Sequence, residues 1–264
     1  MFLQNIDPVL FRVGFLEIRY YGLVYLLGFI LSFYIIRKYK DELGLNKEKI
    51  YDLIFYLFLG LIIGARVFHF LFSEPYTLLR DPLEILRIWN GGMSFFGSLT
   101  GVLLAGIIFC KKNNVDFFKL ADILVFPATI ALIFGRIANF INGELVGTIT
   151  NLSWCVVFKD YGGCRHPYQI YASFSHLILL LFLFKIKQLK ERMKLKNGVL
   201  LFSFIGLYSL FRIITDFFRD DPRVFGITIW QIISLIFIIL SLILFYNLYI
   251  KNKRKENENR QRIN

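Results

Sequence analysis

The most informative part of the sequence is Phe134-Gly135-Arg136-Ile137-Ala138-Asn139-Phe140-Ile141-Asn142-Gly143-Glu144-Leu145-Val146-Gly147. It begins inside a long apolar run and becomes polar before that run ends. Arg136, Asn139 and Gly143 are spaced i, i+3 and i+7, so they share one face of a helix. An arginine within hydrocarbon costs at least about 2.5 kcal/mol, and it is usually retained where it faces a cavity, a partner or a substrate. This face therefore indicates a functional site inside a membrane.

The composition is that of a membrane protein. Mean hydropathy is +0.58, and 56% of the 264 residues are hydrophobic while only 19% are charged. Soluble domains of this length usually carry more charge. The net charge of +12 does not indicate a nucleic-acid partner, because the basic residues lie between apolar runs.

Seven apolar runs follow one another along the chain: 20–36, 52–72, 93–110, 120–142, 168–184, 198–218 and 227–250. Each has about 17–25 residues, which is the length a helix needs to cross about 30 Å of hydrocarbon. Their apolar character is continuous rather than alternating, which argues against membrane strands. The sequence predicts an all-α integral membrane protein with seven transmembrane helices and one membrane-embedded domain, 1–264.

Lysine and arginine give the orientation. Their numbers in the eight segments outside the spans are two, five, two, three, two, six, two and six, in chain order. Because basic loops stay in the cytoplasm, the N-terminus is predicted outside and the C-terminus inside. A small extracytoplasmic region, 143–167, then lies between spans four and five. The basic tail, 251–264, is predicted to be disordered in the cytoplasm.

Three of the 31 basic side chains fall inside the predicted spans: Arg66, Arg136 and Arg212. They lie on spans two, four and six. Snorkelling toward a headgroup is one interpretation. We favour a shared polar cavity, in which the three cations bind the phosphate of a lipid.

Other side chains have simpler interpretations. Gly60 and Gly64 form a small-xxx-small pattern that predicts close helix packing, and the many small residues of 91–101 indicate either tight packing or close approach of a ligand. Tyr20 and Tyr25 fit an interfacial aromatic belt, and His69 fits a packing role.

Charged and sulfur-containing groups on the outer side also have simple interpretations. Arg212, Asp216 and Arg219 form a stripe that can satisfy itself as an Arg–Asp pair. Cys155 and Cys164 could form a disulfide in an oxidising compartment. We favour unpaired cysteines, and the cysteines and histidines lack the spacing of a zinc site.

These residues together resemble the signature of the bacterial prolipoprotein diacylglyceryl transferases. The run 135–147 carries most of the resemblance. Further matches lie in the same order at Tyr20–Tyr25, Gly64–Arg66, Gly91–Phe95, His166–Tyr171 and Phe211–Arg219. The resemblance covers nearly the whole chain, and the family has seven spans with the N-terminus outside.

The resemblance implies a reaction and its partners. The diacylglyceryl group of phosphatidylglycerol would pass to the thiol of the lipobox cysteine in a prolipoprotein signal peptide, forming a thioether and releasing glycerol phosphate. No metal or other cofactor is implied. The protein would be a multi-pass monomer of the bacterial cytoplasmic (inner) membrane, surrounded by lipid.

The resemblance also implies site residues. The catalytic side chains would be Arg136, Arg212, Tyr21 and Glu144. Phosphatidylglycerol would be bound by Arg136, Asn139, Asn142, Gly143, Arg66, Arg219 and Gln231. The two catalytic arginines would stabilise the charge of the leaving phosphate, and the asparagines would orient headgroup oxygens.

Three departures from the family pattern bear on activity. Phe96 stands where the family usually has His, Ala172 where it often has Glu, and Asp216 where Glu is usual. Phenylalanine cannot accept the thiol proton. Either another group is the base, or the leaving group or solvent takes the proton, or this copy is inactive.

Two functions without catalysis compete with the transferase. The arginines could line the cavity of a lipid-phosphate or anion transporter, although the sequence has no inverted repeat and no pair of broken helices. A relative that binds phosphatidylglycerol or signal peptides without turnover is the second alternative, and Phe96 is its main support.

Overall fold

Helices make up most of the computed structural model, which describes residues 2–14, 16–87 and 92–247. The helices are α1 Tyr20–Lys38, α2 Lys40–Leu43, α3 Lys47–Phe72, α4 Pro75–Arg80, α5 Phe95–Asn113, α6 Phe117–Asn142, α7 Tyr168–Met193, α8 Val199–Asp216 and α9 Ile229–Tyr246. The tail 251–264 and Gly91 lie outside the described residues, so the prediction of a disordered tail stays a prediction.

Six helices of the described part are long and apolar enough to cross a membrane: α1, α3, α6, α7, α8 and α9. They coincide with predicted spans one, two and four to seven, and they confirm a multi-pass integral membrane protein. Predicted span three forms α5, whose 19 residues rise about 28 Å. Its crossing, the total of seven and the orientation stay predictions.

The chain divides into two compact units. One comprises Met1–Leu31 and Ala121–Asn264, and the other comprises Ser32–Leu120. We call them the signature unit and the glycine unit, after the stretch 134–147 and the packed glycines described next. The prediction of a single domain, 1–264, stays a prediction.

Glycines hold α3 against α5 in the glycine unit. Gly60 and Gly64 of α3 face Gly97 and Gly101 of α5 so closely that none of the four has room for a Cβ. The backbones themselves are therefore in contact, as small-xxx-small patterns allow. This confirms the predicted packing of Gly60 and Gly64, and it assigns Gly97 and Gly101 to tight packing.

We expect Gly101→Ala to lower the thermal unfolding midpoint of the purified protein in detergent. The carbonyl oxygen of Gly60 occupies the place of the added methyl group, and overpacking of this kind typically costs about 1–3 kcal/mol. Gly106→Ala on the same helix is the control, because its nearest neighbouring atom would be 3.8 Å away. Equal midpoints for the two variants would contradict the packing.

Short strands of the signature unit lie in segments that the sequence placed on the outer side. β1 (Phe2–Gln4) pairs in parallel with β4 (Val156–Phe158), which pairs antiparallel with β5 (Cys164–Arg165). Two hairpins join β2 (Val9–Val13) to β3 (Leu16–Arg19) and β6 (Arg223–Val224) to β7 (Ile227–Thr228). The sequence did not predict these strands.

Asp122 links three helices of the signature unit. This buried carboxylate accepts hydrogen bonds from Lys190 Nζ at 2.6 Å, Gly198 N at 2.9 Å and Leu201 N at 2.8 Å. The bonds join α6 to the end of α7 and satisfy backbone donors where α8 begins. They fix the start of α8, whose other end carries Arg212.

Cys155 and Cys164 form a disulfide, with 5.5 Å between their Cα atoms. The preference for unpaired cysteines was therefore wrong. The physical reason is the hairpin: β4 begins directly after Cys155, and Cys164 pairs with Val157 on that strand. Strand pairing places both side chains within bonding geometry, and cysteine spacing alone could not show this pairing.

Thiol counting tests the disulfide. Of the three cysteines, we expect only Cys110 to be alkylated in the denatured, non-reduced protein, and all three after reduction. A bridge over so short a loop typically adds about 2–4 kcal/mol, so Cys155→Ser with Cys164→Ser should lower the unfolding midpoint. Reductant should lower the midpoint of the parent but leave that of the variant unchanged. Three alkylated thiols before reduction would contradict the bridge.

Candidate active site

The end of α6 folds back on itself and brings three polar side chains together. Gly143 follows the helix with φ +69°, a conformation that glycine adopts without strain. The turn lets Glu144 N donate to Asn139 O at 3.1 Å. The Glu144 carboxylate then accepts from Asn139 Nδ2 at 2.7 Å and from Asn142 Nδ2 at 3.3 Å. The predicted residues Asn139, Asn142, Gly143 and Glu144 are thus one local cluster.

Arg136 joins this cluster but keeps most of its hydrogen-bonding capacity. Its Nη1 donates to Asn139 Oδ1 over a long 3.4 Å, and the side chain is half-buried. No Asp or Glu of the described residues forms an ion pair with it. A guanidinium has five N–H donors, so Arg136 presents a partly dehydrated cation that can bind an external anion.

Arg212 is held in place by its own helix. Its Nε lies 3.4 Å from Asp216 Oδ2, and its Nη1 donates to Tyr208 Oη at 3.5 Å. The guanidinium also lies over the ring of Trp230, 5.0 Å from its centre. The predicted Arg–Asp pair is thereby found. Fully buried Asp216 also accepts from Tyr168 Oη at 2.7 Å. Its carboxylate is therefore shared between Arg212 and Tyr168.

α7 faces Arg136 and Arg212 of the signature unit. Tyr168 lies within electrostatic range of Arg136 and Arg219, and His176, two turns further along α7, lies within range of Arg136 and Arg212. Both arginines therefore act on the same part of α7. This arrangement supports a common anion site for Arg136 and Arg212.

Tyr21 belongs to a pair of tyrosines on α1. Its ring meets the ring of Tyr25 edge to face, with 5.5 Å between centres, and Tyr25 lies within electrostatic range of Glu144. Tyr25, which the sequence assigned to an aromatic belt, therefore lies near the predicted site. The i, i+4 spacing from Tyr21 was the signal that could have found it.

Comparisons with known proteins show the family of the chain. A family model described as prolipoprotein diacylglyceryl transferase matches residues 8–247. The chain belongs to the prolipoprotein diacylglyceryl transferase family. A relative from Geobacter sulfurreducens, named phosphatidylglycerol–prolipoprotein diacylglyceryl transferase, is 41% identical over 227 residues, covering 84% of this chain and 86% of its own.

Further relatives carry the same name. The Rickettsia bellii protein is 37% identical over 254 residues, covering 92% of this chain and 96% of its own. The Aeromonas hydrophila protein is 38% identical over 254 residues, covering 93% and 92%. The resemblance seen in the sequence is thereby confirmed along nearly the whole chain.

The last glycine of the transferase signature packs between two other segments. Gly147 N donates to His166 O at 3.2 Å, and Arg165 Nη1 donates to Gly147 O at 3.1 Å. Phe218 O accepts from Thr148 N at 2.9 Å. A side chain at Gly147 would collide with these backbones. The signature loop is thus tied to the starts of α7 and of the segment after α8.

Two predicted lipid-binding residues of the transferase have structural partners. Arg219 Nε lies 3.0 Å from Asp221 Oδ2, and its guanidinium lies over the ring of Tyr168 at 5.6 Å. Gln231 completes the capping box of α9 with Thr228, and its Nε2 donates to Ile213 O at 3.1 Å. These contacts favour a structural role for Gln231, and lipid contact by either residue stays a prediction.

Arg66 belongs to the glycine unit and is 3% exposed. Its guanidinium lies 4.7 Å from the centre of the Phe70 ring. It donates to the carbonyl oxygens of Glu84, Ile85, Arg87 and Gly92. Arg66 therefore holds residues 84–87 and Gly92 in place, and its lipid contact stays a prediction.

Three polar residues near the signature were missed by the sequence analysis as site residues. Gln169 Nε2 donates to Glu144 O at 2.7 Å, Tyr168 holds Asp216, and His176 faces the arginines. Gln169 and Tyr168 lie in a stretch that carries the family resemblance, which was the available signal. His176 lies in an apolar run with no motif around it.

Proposed function

We propose that this protein transfers the diacylglyceryl group of phosphatidylglycerol to the thiol of the lipobox cysteine in prolipoproteins. The observation that carries the proposal is Arg136, a half-buried arginine with one long hydrogen bond and no ion pair among the described residues. A lipid phosphate is the abundant anion at that depth in a bilayer. The relatives' names give the same reaction for those proteins.

The reaction requires stabilisation of a leaving phosphate. The thiolate sulfur attacks the glyceryl carbon, the carbon–oxygen bond breaks, and glycerol phosphate leaves with an added negative charge. Arg136 and Arg212 bind this charge more strongly than water would, because few waters compete at a half-buried site. Asp216 and Tyr208 hold Arg212 in place beforehand, so little reorganisation is needed.

The cluster around Glu144 binds the headgroup. Its carboxylate accepts hydrogen bonds from glycerol hydroxyls, and Asn139 and Asn142 orient the neighbouring oxygens. Asn142 Oδ1 is buried without a partner in the described part of the chain, which leaves an acceptor for a ligand. Gly143 allows the turn, and Tyr21 donates a hydrogen bond to the substrate or relays a proton.

The chain crosses the bacterial cytoplasmic membrane seven times as a monomer, with its N-terminus outside, and the signature loop faces the outer side where signal peptides emerge. Arg219 contacts the lipid beside Tyr168. Gln231 fixes the start of α9 through its capping box with Thr228, and Arg66 of the glycine unit contacts lipid.

The test is a mass assay with purified protein, phosphatidylglycerol vesicles and a lipobox peptide. We expect a peptide heavier by one diacylglyceryl group, with one glycerol phosphate released for each. A serine-for-cysteine peptide and phosphatidylethanolamine vesicles are the controls, and both should give no product. Lipid capture without product would instead support a binding protein, and movement of intact headgroup across the bilayer would support a transporter.

Phe96→His belongs in the same assay. Phe96 lies on α5 and is 43% exposed, and its ring cannot accept a proton. If the parent is active, the thiol proton is taken by another side chain, by the leaving group or by solvent. Product from Phe96→His alone would mean that the fold is intact and that this copy has lost its base.

A further inference from the structure

Diacylglyceryl transfer needs an acceptor for the thiol proton, and the histidines are the first side chains to consider near neutral pH. The chain has three. His69 Nε2 lies 3.3 Å from Glu74 Oε1 in the glycine unit, and His166 Nδ1 lies 3.2 Å from Tyr171 Oη. His176 is 3% exposed, and its Nε2 is a buried atom without a hydrogen-bond partner among the described residues.

The hydrogen bonds around His176 assign its tautomer. Ser175 Oγ donates its single proton to Ala172 O at 2.8 Å. The contact of 3.3 Å between Ser175 Oγ and His176 Nδ1 is then a bond in which Nδ1–H donates to the hydroxyl oxygen. In a neutral imidazole the proton is on Nδ1, so Nε2 carries the free lone pair. Nε2 is also the nitrogen without a hydrogen-bond partner in the described part of the chain.

The surroundings of His176 connect it with the phosphate site. The ring packs on Tyr208, with 5.3 Å between centres, and Tyr208 Oη is a hydrogen-bond partner of Arg212. The charged groups that act on His176 are Arg136 of α6 and Arg212 of α8. These are the two arginines assigned above to the leaving phosphate, so His176 lies beside the proposed phosphate site.

We propose that His176 Nε2 accepts the thiol proton of the lipobox cysteine, an inference that rests on the proposed transferase function. The proton moves from sulfur to Nε2, and the sulfur forms its bond to the glyceryl carbon. The carbon–oxygen electron pair leaves with glycerol phosphate. The imidazolium, still donating from Nδ1 to Ser175, then returns the proton to the phosphate group, so that neutral His176 and a protonated phosphate monoester remain.

The test compares the parent with His176→Gln, which keeps polar atoms at the site but cannot take up a proton. We expect a 10²- to 10⁴-fold lower kcat, with capture of phosphatidylglycerol from vesicles unchanged. The residual rate should rise about tenfold per pH unit below pH 8, because the thiolate fraction of a thiol with a pKa of about 8.5 rises that way. His69→Gln is the matched control and should keep the parent rate.

A selenocysteine lipobox peptide separates a lost base from a damaged site. A selenol ionises at lower pH than a thiol, so it needs no proton acceptor and should restore most of the rate in His176→Gln. A kcat within threefold of the parent, or parallel loss of transfer and lipid capture without selenol rescue, would overturn the proposal. An inactive parent would instead refute the proposed function itself.

Discussion

Arg136→Gln should lower kcat for diacylglyceryl transfer by about 10²- to 10³-fold, the usual effect of removing one donor that stabilises a developing oxyanion. The glutamine retains a polar side chain but loses the charge and the planar set of donors. Because Arg136 has one long hydrogen bond and no ion pair in the described part of the chain, its removal leaves no buried carboxylate unpaired. The thermal unfolding midpoint should therefore change little.

Two further variants sharpen the test at Arg136. Arg136→Lys keeps the charge but not the fork of donors, so its rate should lie between those of the parent and Arg136→Gln. Arg12→Gln removes an exposed arginine that pairs with Glu17 on the β2–β3 hairpin, and it should keep the parent rate. A rate for Arg136→Gln close to that of the parent would place the phosphate elsewhere.

Asp216→Ala should lower the free energy of unfolding by about 3–5 kcal/mol, the range for removing one partner of a buried ion pair. Asp216 is fully buried and accepts from both Tyr168 Oη and Arg212. Its loss leaves the Arg212 guanidinium with Tyr208 and the Trp230 ring, and it leaves the Tyr168 hydroxyl without its acceptor. Transfer should fall as well, because Arg212 loses its fixed position.

Denaturant unfolding in detergent measures the effect at Asp216, with two comparisons. Asp216→Glu keeps the carboxylate and should lose less stability and less activity than Asp216→Ala. Asp220→Ala removes a half-exposed carboxylate that pairs with Arg165 at 2.6 Å, and such surface pairs contribute about 0.2–1 kcal/mol. If Asp216→Ala and Asp220→Ala lowered the free energy of unfolding by similar amounts, the buried pair would stabilise the protein no more than the exposed one, which would contradict this prediction.

The membrane class, the family and six helices long and apolar enough to cross a membrane could be predicted from the sequence. Hydrocarbon forces each crossing segment to satisfy its own backbone hydrogen bonds, so a long apolar run can cross only as a helix. The sequence also indicated the local cluster of Arg136, Asn139 and Glu144, because residues that are close along one helix and its cap are neighbours in any fold. The spacing of Gly60 and Gly64 likewise predicted close helix packing.

Contacts between side chains that are distant in the sequence became visible only in the folded protein. The disulfide depends on the pairing of β4 with β5, and the inclusion of Tyr25 depends on how α1 lies beside the end of α6. The Nε2 of His176 has no hydrogen-bond partner among the described residues. Its lone pair is free because Nδ1 carries the proton and donates it to Ser175, whose own proton is donated to Ala172 O. The capping box of Gln231 on α9 and its bond to α8 likewise depend on how these two helices pack. Such outcomes depend on pairings between residues far apart in the chain, and local spacing carries no information about them.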